Sequence, residues 1–314
     1  MTENMAMSRA AKALLAMQRY SWEQGITMQA FYEMGDTETA VLLALEAAHR
    51  AMDGRPATIG VVDAITDPAS CGEVIAWAAR ETGDKRLQVA AENLKQWVLH
   101  RAPRSASGIL YHLDTGTEFW ADSFYMLPPY LSAIGEHEMA IHQFEGYWKC
   151  LYDSKSGLLS HRWDDGAQRF TTSAHWGIGN GWCLMAIARL MGTQPESPER
   201  EEIGKKGEAL LEAVLSTADS EGNFHYILDD PTTFPELGIA QMAAYTIYRG
   251  VHDHWLAPAW LERAEPLRMK AEAAEDEYGI IQGVCGAPTF DCSGSAPEQQ
   301  AVFLLMENAW RKFE

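Results

Sequence analysis

The chain has 314 residues, 47% of them hydrophobic, which is ample for a large core and excludes intrinsic disorder. Asp and Glu number 44 against 25 Lys and Arg, a net charge of −19 that argues against a nucleic-acid partner, since phosphate-backbone binding needs basic patches. Five cysteines, Cys71, Cys150, Cys183, Cys285 and Cys292, are odd in number and lack CxxC spacing, so neither a disulfide framework nor a zinc site is signalled.

From the start, MTENMAMSRAAKALLAMQRY carries an early Glu3 and no uninterrupted apolar core, so no secretory leader is read. No apolar run is long enough to span a bilayer, and the expected location is cytoplasmic, with reduced thiols. Helical periodicity then recurs over residues 6–19, 22–34, 37–52, 70–82, 85–100, 119–134, 137–151, 178–191, 200–217, 236–250, 258–274 and 297–312. In 85–100, for example, Leu87, Val89, Ala90, Leu94, Trp97 and Val98 keep near the 3.6-residue period while Lys85, Glu92 and Lys95 fall between them. Twelve helices, almost no strand and short connections fit six αα-hairpins closed into a ring. No Pro/Gly/Ser-rich linker divides the chain, Gly192–Arg200 reading as a loop, so residues 1–314 are taken as one domain.

Two kinds of joint repeat. Gly35-Asp36 and Gly83-Asp84 each place a C-terminal glycine before a capping Asp. SGILYH (107–112), SGLLSH (156–161) and EGNFH (221–225) each turn on a glycine and run extended to a histidine, with YGIIQ (278–282) as a fourth member. Stacked in a ring, these segments would bring His112 and His161, with His225 as a third candidate, to one rim. A metal is not signalled, because no HExxH pair occurs and the histidines belong to separate units.

The densest stretch is EFWADSFYMLPPY, 118–130, with Asp122 among aromatic residues. Such an Asp is either a helix N-cap or a working acid, whose pKa would rise as the rings strip its hydration. A second dense stretch is HWGIGNGW, 175–182. Its three glycines let the backbone approach something closely, either as a helix start packed by tryptophans or as a loop for a sugar ring. It lacks GK[ST] and a preceding strand, so no nucleotide is expected.

WADSFYMLPPYL, HRW and WGIGNGW, in this order and spacing, resemble the unsaturated rhamnogalacturonyl hydrolases, relatives of the unsaturated glucuronyl hydrolases. The resemblance runs from Trp22-Glu23-Gln24-Gly25 to Ser293-Gly294-Ser295-Ala296 and is most specific in the middle third. It implies an all-α (α/α)6 barrel, no cofactor or metal, and a small unsaturated oligosaccharide from lyase-degraded polysaccharide such as pectin as partner. It also implies an unusual chemistry, in which an Asp protonates C4 of a terminal 4,5-unsaturated uronate and water adds at C5, in place of the two-carboxylate displacement of ordinary glycosidases. The resemblance puts Asp122 in the catalytic position, with Asp67 and His161 beside it. It puts His112, Trp120, Tyr125, Trp163, Trp176, Ile178 and Trp182 on the substrate. Ile178 stands where the family usually has arginine, so the group it meets on the substrate is expected to be less polar. The rival reading is a non-catalytic carbohydrate-binding or scaffold barrel with Asp122 as a cap.

Overall fold

The computed structural model describes residues 8–314, so the leader reading at residues 1–7 and the first two residues of predicted helix 6–19 lie outside it. The helices are α1 Arg9–Met17, α2 Ser21–Glu33, α3 Thr37–His49, α4 Gly72–Thr82, α5 Lys85–Gln96, α6 Ser123–Met126, α7 Pro128–Ala133, α8 His137–Leu151, α9 Gly177–Thr193, α10 Pro198–Leu215, α11 Gly238–His252, α12 Leu261–Ala273 and α13 Pro297–Trp310. All twelve expected segments hold helix. The one read as 119–134 is divided, because Pro128 disfavours helical geometry in the residue before it and Leu127 sits at φ −113°, ψ −58° between α6 and α7. Residues 118–120 are strand rather than helix.

The inner helices close a ring. α2 packs on α13, α13 on α11, α11 on α9, and α9 on α6 and α7. These in turn meet the 3-10 turn Asp67–Cys71, which leads into α4 and packs back on α2. Outside them α1 lies on α13, α3 on α2, α5 on α4, α8 on α7, α10 on α9 and α12 on α11, completing an (α/α)6 barrel. Inner helices have no solvent face, so in α9 every residue from Gly177 to Met191 is buried and no single apolar stripe is needed. Among the described residues no helix is long and apolar enough to cross a membrane.

Strand content is low but decisive in place. β1 Glu118–Trp120, β4 Arg162–Asp164 and β5 Arg169–Thr172 form an antiparallel sheet, and β2 Tyr152–Asp153 pairs with β3 Leu158–Leu159. The repeated turns are real: Gly108, Gly157, Gly222 and Gly279 have φ of 86°, 76°, 73° and 87°, a region open to glycine without strain. In three of the four units the second residue after the glycine donates its backbone N–H to a helix-borne amide: Leu110 to Gln143 (2.9 Å), Leu159 to Asn180 (2.8 Å) and Ile281 to Gln300 (2.9 Å). Each amide also donates back to a carbonyl of the same segment, which fixes how the extended run leaves the turn.

His112 and His161 are both four residues past their glycine, so side-chain alternation points them the same way. His225 is only three past Gly222 and faces elsewhere, binding the Thr233 carbonyl at 2.7 Å, while Tyr226 takes the fourth place.

Candidate active site

One small cavity of ≈ 80 Å³ is lined by Asp67, Asp122 and His112, with His161 beside Asp122 at its edge. β1 ends at Trp120, and the chain turns at Asp122 into α6; Ala121 N–H binds the His161 carbonyl at 3.0 Å and ties this turn to the end of β3–β4. Asp122 occupies the residue before α6 but makes no side-chain cap bond, so the capping reading does not hold. Its Oδ2 is buried without a hydrogen-bond partner and lies 3.5 Å from His161 Nε2. Asp67 sits deeper, with Oδ1 3.7 Å from His112 Nε2. The other nitrogen of His112 lies 2.9 Å from Thr66 Oγ1 and 3.0 Å from Ser123 Oγ.

The two carboxyls are driven apart. Burial raises Asp67 well above the usual carboxylate range, and the charges of Asp122 and Asp63 add to the rise. Burial also pushes Asp122 upward, but the hydrogen-bonding reach and charge of His161, with His112 behind, outweigh it and leave Asp122 lowered. The expectation of a raised Asp122 is therefore corrected: ring desolvation is present, and a histidine 39 positions further along the chain overrides it. Burial drives His112 down to about 4, which keeps it neutral at physiological pH.

Aromatic rings wall the cavity. Trp120 stacks on His112 at 4.2 Å between ring centroids, and Trp182, which also lines the cavity, is backed by Tyr125 at 4.8 Å. Of the expected substrate-binding residues, His112, Trp120 and Trp182 line the cavity. Trp176 instead braces His161, with centroids 4.6 Å apart, and Tyr125 stands one layer behind. Trp163 pairs with Phe119 across the sheet, packs edge-on against Phe170 at 5.0 Å, and is not in the cavity wall. Ile178 is also absent from it: the side chain is buried between α9 and α11, its Cδ1 2.6 Å from where a Cβ on Gly238 would stand. Two of the glycines of HWGIGNGW serve close packing rather than a sugar loop, because a Cβ on Gly179 would stand 3.0 Å from Ala121 in the turn before α6 and one on Gly181 2.3 Å from Met242 Sδ of α11.

Four wall residues were not anticipated as site residues: Trp22, Met126, Phe290 and Glu298. Phe290 comes from the loop before α13, whose composition carries no signal of the site. Glu298, in the first turn of α13, reads from sequence as a helix-dipole carboxylate, yet it is 1% exposed and neither oxygen has a partner. Burial, with Glu23 next, lifts it to about 8, so at neutral pH it is mostly the acid. A roomier groove of ≈ 570 Å³ beside Phe224 and Lys270 holds only Glu236 of the buried acids, and its oxygens accept from Gly238 N at 2.7 Å and Cys285 N at 2.8 Å.

Glu298 makes stability depend on pH with a definite sign. Its carboxyl titrates near the usual carboxylate value when unfolded and at about 8 when folded, so stability is fully present below the unfolded value and declines until the folded value is passed. Glu298→Gln removes this slope. Its unfolding free energy, read by denaturant titration at each pH, should match wild type near pH 4.5 and exceed it increasingly up to pH 8, by on the order of 4 kcal/mol. A constant difference across that range would show that Glu298 is ionised in the folded protein.

A model of the family described as Glycosyl Hydrolase Family 88 matches residues 1–291. The chain is 30% identical over 182 residues to the unsaturated rhamnogalacturonyl hydrolase YesR of Bacillus subtilis (strain 168), covering 54% of this chain and about half, 53%, of the length of that relative. A family 105 glycoside hydrolase from C. acetobutylicum superposes with a TM-score of 0.81 at 19% identity, over 97% of this chain and 98% of that one. The glycosaminoglycan-degrading unsaturated glucuronyl hydrolase of Bacillus sp. GL1 superposes with a TM-score of 0.66 at 13% identity, over 93% and 86%. The barrel is thus shared with these enzymes, and with the family model spanning most of the sequence the chain belongs to Glycosyl Hydrolase Family 88.

Proposed function

We propose that this enzyme releases a terminal 4,5-unsaturated uronic acid from a lyase-generated oligosaccharide by hydrating the C4=C5 bond. The observation that carries the reading is the unequal pair: one buried carboxyl favouring its proton and one favouring its charge, both on one aromatic-walled cavity. Asp122, whose Oδ2 is unpartnered, passes a proton to C4, and Asp67 is the deeper store from which the pair is charged. Water adds its oxygen to C5 and returns a proton to the Asp122 carboxylate, so the enzyme ends as it began. The C5 hemiketal then opens by breaking its ring C–O bond, and the hemiacetal left at C1 collapses with loss of the attached sugar or aglycone. His161 steadies the charged form of Asp122 between these transfers and stands within reach of the incoming water.

The test is optical. The conjugated enol ether absorbs in the ultraviolet, and the absorbance disappears on hydration. Wild-type enzyme should bleach at least one member of a panel of unsaturated disaccharides that are rhamnose-, glucosamine- or galactosamine-linked. An unchanged signal over the whole panel would sink the reading and favour a barrel that binds without catalysis.

A further inference from the structure

The proposed substrate is an anion, yet the wall of the cavity contributes three carboxyls, Asp67, Asp122 and Glu298, and no Lys or Arg. In a chain of net charge −19 the substrate carboxylate needs a local cation. Position 178 does not provide it, since Ile178 is apolar and turned into the helix packing.

Arg162 is placed to do so. The β1–β4 register sets it directly across from Trp120, and its guanidinium carbon rests 3.6 Å from the centre of that indole, the same ring on which His112 stacks. Its Nε lies 3.5 Å from His161 Nε2, the nitrogen that is also 3.5 Å from Asp122 Oδ2. Guanidinium and catalytic carboxyl therefore share one neighbour, which lies 3.5 Å from each. Other part-buried arginines have committed partners: Arg189 is paired with Glu73, Arg249 with Glu33, and Arg104 donates to the carbonyls of Ala102 and Val98. Among the described residues Arg162 has no carboxylate within ion-pair distance, and its one polar side-chain neighbour is His161 Nε2 at 3.5 Å, leaving most of its five N–H groups free.

We infer that Arg162 receives the carboxylate carried on C5 of the unsaturated uronate and thereby holds C4 over Asp122. The inference rests on the hydration reading above. The geometry suits it, because C4 and the carboxyl carbon are both bonded to C5, so the groups serving them have to be near neighbours. A planar guanidinium held flat by an indole presents a fixed edge to a planar carboxylate.

The experiment compares each panel disaccharide that wild type bleaches as the free uronic acid and as its methyl ester, using wild type, Arg162→Gln and Arg162→Lys. Arg162→Gln should raise KM for the acid about 10- to 100-fold with a smaller change in kcat, and Arg162→Lys should recover part of the loss. Wild type should prefer acid over ester by a similar factor, and Arg162→Gln should barely discriminate. That comparison is internal to each variant, so a reduced folded fraction does not alter it. If Arg162→Gln keeps the wild-type preference for the acid, or its KM is unchanged, Arg162 does not read the carboxylate while the hydration reaction stands. If wild type bleaches no panel member, the reaction itself fails and this assignment with it.

Discussion

Asp122→Asn is expected to fold as wild type does and to lose turnover by about 10²- to 10⁴-fold, the usual cost of removing a general acid–base group. The amide fills the same space beside His161 but cannot give up and recover a proton during the cycle. Because the Asp122 carboxylate makes no cap bond to α6, its melting temperature should stay within a few degrees of wild type. Purified Asp122→Asn that bleaches the substrate at the wild-type rate would remove Asp122 from the chemistry. A large fall in melting temperature with activity intact would restore it as a structural residue.

Arg189→Met should lower stability by about 3–5 kcal/mol. Arg189 lies about two turns along α9 from Trp182, deeper in the ring, where it pairs with Glu73 of α4, donates to Gln29 of α2 at 3.2 Å and covers the Tyr125 ring at 4.8 Å. It joins three inner helices and is only 4% exposed, so its removal leaves Glu73 as a largely buried charge without its partner. Denaturant titration of Arg189→Met against Arg189→Met/Glu73→Gln separates the lost contact from the stranded charge: the second change should recover a substantial part of the loss. A single-variant cost below about 1 kcal/mol would mean that packing, not this pair, holds the helices together. Since Tyr125 lies between Arg189 and Trp182, a softened network should also loosen the cavity wall and raise KM before it lowers kcat.

The helices were legible because burial on a helix imposes a 3.6-residue period, and twelve such segments with short joints leave few ways to bury their faces other than a closed double ring. The turn glycines were legible for a similar reason, since a left-handed φ is costly for any residue with a Cβ, and four of them recur before extended runs. His112 and His161 stood out as chemistry-bearing side chains within those repeats and Asp122 in the aromatic run after the first, and the cavity contains Asp122 and His112 with His161 at its edge. What the sequence could not contain was direction. Trp163 and Ile178 sit within motif runs, but whether such side chains face the cavity depends on strand register and on which side α9 packs against α11. His225 fell outside by a single residue, because alternation along an extended segment reverses the side a residue faces.

The electrostatics belonged to tertiary structure altogether. Aromatic neighbours in sequence argued for a raised Asp122, whereas the folded chain brings His161 against it and leaves the rise to Asp67, which is buried without an equal cation. Glu298 and Arg162 come from distant segments and acquire their character only there, one by losing water and partners, the other by being left without a counter-charge beside an acidic cavity. A pKa is a property of what surrounds a group within a few ångströms, and those surroundings are assembled by closing the ring.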